Sequence, residues 1–163
     1  MKIVSDTGPL IGLAKIDKIY LLKSIAEEVL IPPMVHRELL GKVGDEADQI
    51  DIALSDFIQI KEVGTLEQEA ETALNGLGEG GKQAIGLAFN IEKDVLLLLD
   101  DRAGREGAKR LNVPTTGLIG LLLILKEKGL VEDVGPIIGE LRNKGYWISD
   151  EVINVARRLA GEE

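Results

Sequence analysis

Acidic residues stand at two places where an apolar stretch of the chain ends. Asp6 follows the short run at residues 2–5, and the adjacent pair Asp100 and Asp101 follows four consecutive leucines. Neighbouring carboxylates repel each other unless water or a cation neutralises them, and hard divalent cations bind carboxylate oxygens. The pattern therefore indicates a site for a divalent cation. Two simpler explanations stay open: the strand before the pair has reached solvent, or Asp6 caps a helix.

The elements that would position these acids are predicted from the spacing of apolar residues. Strands are predicted at residues 2–5, 29–31, 57–63, 95–99 and 113–116. Helices are predicted at residues 9–25, 33–41, 46–54, 66–75, 81–91, 102–111, 117–128, 133–143 and 149–160. Such alternation is typical of an α/β fold with a mainly parallel sheet. The carboxyl ends of parallel strands face the ligand crevice, so we expect Asp6, Asp100 and Asp101 to converge there.

The composition narrows the class of protein. A chain of 163 residues with 45% hydrophobic and 29% charged residues is typical of one soluble globular domain. The apolar runs are far shorter than the ~20 residues of a membrane span, and cysteine is absent, which excludes disulfides and a cysteine nucleophile. A cytoplasmic protein is therefore expected. The net charge of -9 disfavours nonspecific binding of nucleic acid. A divalent cation bound by a cluster of acids would, however, make the electrostatic potential at that site positive.

A glycine motif offers a competing function. Gly76, Gly78 and Gly81 match the dinucleotide fingerprint G-x-G-x-x-G. That fingerprint needs a strand directly before the first glycine, because the turn presents the next helix to the pyrophosphate. The preceding residues instead predict a helix, with Thr65 and Gln68 spaced as a capping box. We expect the glycines to join two helices, and dinucleotide binding remains the less favoured alternative.

Basic residues follow the acid pair at helical spacing. Arg102, Arg105 and Lys109 stand at i, i+3 and i+7, so they share one helix face where they can hold phosphates. Glu106 lies four residues from both Arg102 and Arg110, and surface ion pairs explain the same residues equally well. Substrate binding and ion pairing therefore both stay open for this face.

Two threonines also stand at predicted strand ends. Thr7 and Thr116 are candidates for binding substrate or a metal-bound water, although hydrogen bonds within turns explain them nearly as well. Near the end of the chain, Tyr146 and Trp147 precede an amphipathic helix for which Ser149 is the predicted cap. This segment is expected to pack on the body of the protein, with docking of a partner as the alternative.

Three segments together resemble the PIN-domain family, named for the PilT N-terminus, and its prokaryotic VapC-like branch: VSDTGPLIGLA, PPMVHREL and LLLDDRAGREGAKRLNVPTTGLIGLLLILKEKGL. The D-T-G-P-L-I and D-D-R-x-G-R-x-x-A stretches are the specific parts. The resemblance implies a three-layer α/β/α sandwich with a five-stranded sheet, formed by residues 1–163 as a single domain with C-terminal helices from about 130. It implies an endoribonuclease that uses Mg²⁺ or Mn²⁺, often the toxin of a toxin–antitoxin pair. RNA is then the substrate, an antitoxin a possible partner and a homodimer the expected assembly.

The resemblance also assigns site residues. The family's metal-binding and catalytic acids fall on Asp6, Glu38 and the Asp100–Asp101 pair, of which Asp101 fits the last position better. Relatives carry L-x-x-G-E-x-x-A-I-x-L-A, and the acid of that motif falls on Gly81 in this chain. We predict that Glu79, two residues earlier, supplies the missing catalytic carboxylate; an ordinary acid at a helix start is the alternative. A chain that lacks this acid would instead be a catalytically weakened binding or regulatory module.

Overall fold

One parallel sheet forms the middle of the protein in the computed structural model, which describes residues 1–42, 44–91 and 93–162. Within these residues the sheet has five strands in the order β3-β2-β1-β4-β5, and each neighbouring pair is parallel. The strands are β1 (Lys2–Ser5), β2 (Glu28–Ile31), β3 (Ile58–Ile60), β4 (Val95–Leu98) and β5 (Thr115–Thr116). The predicted α/β fold with a five-stranded parallel sheet is confirmed.

Three strands are shorter than predicted: β4 ends one residue early, at Leu98, and the third and fifth strands differ by more. The third was predicted at 57–63 but ends at Ile60, after which Lys61 donates one further hydrogen bond to the carbonyl of Ile31. The fifth was predicted from residue 113, but β5 begins only at Thr115. Pro114 accepts a hydrogen bond from Leu97 and, having no N–H, cannot donate one in return.

Helices cover both faces of the sheet. They are α1 (Thr7–Lys15), α2 (Leu22–Ile25), α3 (Pro33–Leu40), α4 (Asp45–Asp56), α5 (Gln68–Ala73), α6 (Glu79–Asn90), α7 (Arg102–Arg110), α8 (Leu118–Glu127), α9 (Val134–Asn143) and α10 (Asp150–Leu159). The prediction of a single helix at 9–25 was wrong, because two helices, α1 and α2, occupy this range. Between them Asp17 adopts the left-handed φ of 56°, and a 3₁₀ turn at Ile19–Leu21 leads into α2. Aspartate tolerates this conformation better than most residues, and it stops the first helix. No helix of the described ranges is both long and apolar enough to cross a membrane.

The sheet separates two hydrophobic cores. Successive side chains of a strand point to opposite faces, so Ile3 and Leu98 enter the core beneath α1, α3, α4, α8 and α9. Val4 and Leu97 enter the core beneath α5, α6 and α7. The continuous apolar run of β4 is therefore buried on both sides, as the prediction required. The layers give the α/β/α sandwich.

The connection into α6 differs from its prediction in one respect. Gly76 and Gly78 do join two helices, α5 and α6, and Gly81 lies in the first turn of α6, so the dinucleotide fingerprint lacks its strand. The predicted capping box at Thr65 was wrong, because α5 begins at Gln68 after an extended Glu67 whose side chain makes no cap bond. Val63 and Leu66 instead pack against Gly86 of α6, where an added Cβ would lie 3.0 Å and 3.1 Å from their methyl carbons. Tertiary packing holds this segment extended.

Glu162 fastens the C-terminal helices to one another. Its carboxylate accepts hydrogen bonds from Lys126 Nζ at 2.8 Å and from the backbone N–H groups of Val134 at 2.7 Å and Gly135 at 2.9 Å. Burial raises the pKa of this carboxyl, but the Lys126 ammonium and the two backbone donors outweigh burial and lower the pKa to about 2. One side chain thus ties α8, the start of α9 and the residues after α10 together.

Candidate active site

Asp6 lies at the carboxyl end of β1, at the central strand of the sheet. Its backbone N–H donates to the carbonyl of Leu98 at 2.9 Å, which joins the ends of β1 and β4. Asp6 occupies the N-cap position of α1, yet its side chain makes no cap hydrogen bond. The half-buried carboxylate thus stands at the cap position of α1 without bonding to the N–H groups that an N-cap side chain usually satisfies.

Other acids surround Asp6. Burial raises the pKa of its carboxyl, a hydrogen bond from the backbone of Thr7 opposes that rise, and the negative charges of Glu38, Asp101 and Asp100 raise the pKa further. The charged side chains that shift Asp6 in the described structure are thus all anionic. The convergence expected from the strand ends is present, and it also brings in Glu38 from α3.

Thr7 and Gly80 fix the position of Glu38. The buried Thr7 hydroxyl donates to Glu38 Oε2 at 2.8 Å. On the other side, a Cβ atom added to Gly80 would lie 2.6 Å from Glu38 Oε1 and 3.4 Å from Asp6 Oδ1. The first turn of α6 therefore approaches both carboxylates so closely that a side chain would displace one of them. Sequence reasoning missed Gly80, although it is the glycine of the family's G-E pair.

Asp100 and Asp101 have different surroundings despite being adjacent. Asp101 is exposed and caps α7, with Oδ2 accepting the N–H of Gly104 at 2.9 Å. Asp100 is half-buried: Oδ1 accepts the N–H of Leu118 at 2.8 Å, and the Tyr146 hydroxyl donates to Oδ2. Burial raises the pKa of Asp100, while the Leu118 hydrogen bond and the Arg105 charge lower it. Both oxygens of Asp100 are engaged in holding other elements, so its metal-binding role stays a prediction.

Glu79 and Gly81 occupy the first turn of α6 but face different surroundings. Glu79 is exposed and borders a cavity of about 230 Å³ together with Glu62, Val63 and Lys82, and none of the other four candidate acids lines this cavity. At Gly81 an added Cβ would meet only Leu99 Cδ1, at 4.0 Å, so the position has room for a side chain. The structure therefore does not bring Glu79 to Asp6. Its catalytic role stays a prediction.

The predicted substrate-binding side chains point in different directions. Arg105 turns inward, where Nη1 donates to the carbonyls of Asp100 at 2.9 Å and Leu99 at 3.3 Å. Arg102 is 90% exposed, and its Nε lies 3.9 Å from Glu106 Oε1, the ion pair that competed with phosphate binding in the sequence. Thr116 donates locally to the carbonyl of Gly117 at 3.4 Å, which fits the turn explanation. Lys109 is exposed on α7.

The donor chemistry around Asp6 fits a hard divalent cation. In residues 1–42, 44–91 and 93–162, no three acidic or histidine side chains lie close enough to ligate one ion together. Magnesium, however, uses one or two carboxylates directly and keeps several of its waters. The half-buried carboxylate of Asp6 and the nearby exposed carboxylates of Asp101 and Glu38 can supply such ligands, even though they do not form a complete coordination sphere by themselves.

Comparison with known proteins identifies the family of the chain. The family model DUF3368, described as a PIN domain, matches residues 2–162. No curated protein and no solved structure gives a significant match. The matched range includes every strand of the sheet and all the acids discussed above. The chain therefore belongs to the PIN-domain family, whose members are generally nucleases.

Proposed function

We propose that the protein is an endoribonuclease that depends on Mg²⁺ or Mn²⁺ and whose reaction centre is at Asp6. The observation that carries the proposal is the setting of this residue: a half-buried carboxylate, unused as a helix cap, with three further acids raising its pKa. Such a setting costs stability in the folded protein, and a cation would relieve the cost. RNA as the substrate rests on the resemblance of the strand-end motifs to ribonucleases of this family.

The chain's own residues have distinct tasks in this proposal. Asp6 and Asp101 would hold the cation, which when bound would neutralise charge on the phosphodiester and acidify the attacking water. Thr7 orients Glu38 through the 2.8 Å hydrogen bond, which leaves Glu38 Oε1 facing the space before Gly80. That oxygen can accept the proton of the attacking water. The exposed Arg102 can hold a neighbouring phosphate.

Cleavage of an end-labelled single-stranded RNA tests the proposal. The rate is measured with magnesium, with manganese and with EDTA for the unaltered chain, Asp6→Asn and Asp101→Asn. Asp51→Asn, an exposed acid of α4, is the matched control. We expect the control to cleave normally and Asp6→Asn to lose about 100-fold or more in rate, since stabilisation by a cation amounts to several kcal/mol. Equal rates in all four proteins, or cleavage that EDTA leaves unchanged, would contradict the proposal.

We further propose that this nuclease is the toxin of a toxin–antitoxin pair, as the VapC-like resemblance implies, acting as a cytoplasmic homodimer that an antitoxin protein inhibits. Induced expression in a bacterium tests the toxin role. Growth should stop on induction of the unaltered chain and continue on induction of Asp6→Asn at the same protein level. Continued growth with both proteins, while the purified chain cleaves RNA, would remove the toxin role and leave the nuclease.

A catalytically weakened binding module is the second candidate, and Gly81 favours it. The position has room for the family's acid and carries none, while Glu79 borders another cavity. Calorimetric titration with manganese separates the two candidates. The module predicts no heat of binding and no cleavage even when protein and RNA are equimolar, whereas the nuclease predicts both.

A further inference from the structure

A groove opens beside the acids, between the end of β4, the start of α8 and the segment that leads into α10. Its volume is about 490 Å³, within the range of small-ligand sites. The residues that decide its chemistry are Arg105, Ile119, Trp147 and Val152. Trp147 is 85% exposed and Val152 is 43% exposed, so one wall is an unusually bare apolar surface. The described structure gives this surface no packing role.

The groove is continuous with the candidate active site. Asp100 borders the groove, and its negative charge contributes to the raised pKa of Asp6. The Cβ position of Gly8, two residues beyond Asp6, lies 3.8 Å from Asp100 Oδ2. Tyr146 donates its hydroxyl to that same oxygen, so the residue preceding Trp147 is fastened to the end of β4. The groove therefore begins at one of the candidate acids, Asp100.

The walls of the groove match one nucleotide. Arg105 places its guanidinium at one side, and in the described residues only its Nη1 is used, on two backbone carbonyls. Its remaining N–H donors can meet a phosphate. An exposed tryptophan offers a flat face on which an unpaired base stacks, whatever the base is. A base within a duplex has both faces covered, so this arrangement favours a single strand.

We propose that the groove binds a nucleobase of single-stranded RNA next to the cleaved phosphate, with Trp147 as the stacking surface and Tyr146 as a positioning residue. The proposal rests on the proposed nuclease function, for which it names a substrate subsite. A second copy of the chain or another protein on the same apolar wall is the competing occupant, and the experiment below distinguishes them.

Trp147 is the only tryptophan of the chain, so its fluorescence reports directly on the groove. The unaltered protein in EDTA, where cleavage is absent, is titrated with hexaadenylate, with a hexamer of abasic ribose phosphate and with a short RNA duplex. We expect saturable quenching by hexaadenylate and little change with the other two. Anisotropy of a labelled hexaadenylate then gives affinities of variants: about tenfold weaker for Trp147→Leu and near normal for Trp147→Phe. Leu159→Ala, at an exposed apolar position of α10 outside the groove, should bind normally.

Several outcomes would overturn the subsite. Equal quenching by the abasic hexamer would show that only phosphate is recognised. Tryptophan emission that changes on diluting the protein without RNA would show that a second copy covers the groove. Unchanged affinity in Trp147→Leu, from a chain that still cleaves RNA, would remove the subsite and leave the nuclease. Base-dependent quenching without any metal-dependent cleavage would instead remove the nuclease and retain base binding at Trp147.

Discussion

Replacing Glu162 by glutamine should lower the melting temperature by about 4–8 °C at pH 7. The carboxyl has an ordinary pKa of 4.5 and a pKa of about 2 in the folded protein, a difference of about 2.5 units. At ~1.4 kcal/mol per unit this corresponds to at most ~3.5 kcal/mol. Lys126, its charged partner, is 26% exposed, and screening by solvent reduces the figure to about 2 kcal/mol. For a domain of this size each kcal/mol shifts the melting temperature by about 2–4 °C.

The effect has a defined pH dependence. Because folding lowers the pKa of Glu162, the stabilisation is complete above pH 4.5 and disappears as the pH falls through the folded value of about 2. Thermal unfolding of the unaltered chain and Glu162→Gln, followed by circular dichroism from pH 7 to pH 3, should show a gap that shrinks by more than half. Glu140→Gln, at an exposed position of α9, is the matched control and should show no such gap. A gap of constant size at every pH, or an equal loss in both variants, would refute the assignment of the stabilisation to the Glu162 charge.

Four further changes probe the acid site. Gly80→Ala should slow RNA cleavage about tenfold or more, because the added Cβ would lie 2.6 Å from Glu38 Oε1, whereas the control Gly81→Ala should cleave normally. Equal rates in the two variants would contradict the close approach of Gly80 to Glu38. Asp6→Asn should have a higher melting temperature than the unaltered chain at pH 7, because folding raises the pKa of Asp6 and its ionisation therefore destabilises the folded protein. The two melting temperatures should converge below pH 3.8, and manganese should stabilise only the unaltered chain. Tyr146→Phe should lower the free energy of unfolding by about 1–3 kcal/mol, because it removes the hydroxyl that donates to the half-buried carboxylate of Asp100. An unchanged denaturant midpoint would show that this hydrogen bond does not form in solution. Gly81→Glu should increase manganese affinity in calorimetry, because the position is helical and open; unchanged affinity would mean that this acid is not part of the site.

The layers of the fold were predictable because each rests on a local pattern. The leucine run before Asp100 is continuous, which a strand buried on both faces requires, and β4 ends within one residue of its prediction. Ser149 caps α10 through the N–H of Val152, as its position before an amphipathic helix indicated. The break after α1 was not predictable in this way. It depends on a left-handed Asp17, which no apolar periodicity encodes.

The site could be predicted only in part, since strand ends place backbone positions and packing decides where side chains point. Asp6 and Asp101 lie at strand ends that meet, which topology alone indicates. The contact between Tyr146 and Asp100 joins residues 46 positions apart, and it cannot be predicted from the two residue types. Arg105 turns toward backbone carbonyls although its helical spacing placed it with Arg102 on one face. These details follow from tertiary packing.

The order of the strands governs when the acids at the strand ends can come together during synthesis. β1 precedes the other four strands in the chain, yet it is the middle strand of the sheet, and the register pairs Lys2 with Val95, 93 positions later. Until β4 emerges, one edge of β1 lacks its neighbour, and such distant parallel pairings form slowly and leave apolar surface exposed. Asp6 can approach Asp101 only after β1 and β4 have paired. These acids therefore cannot come together until β4 has been synthesised, and before then the unpaired edge of β1 needs protection from aggregation.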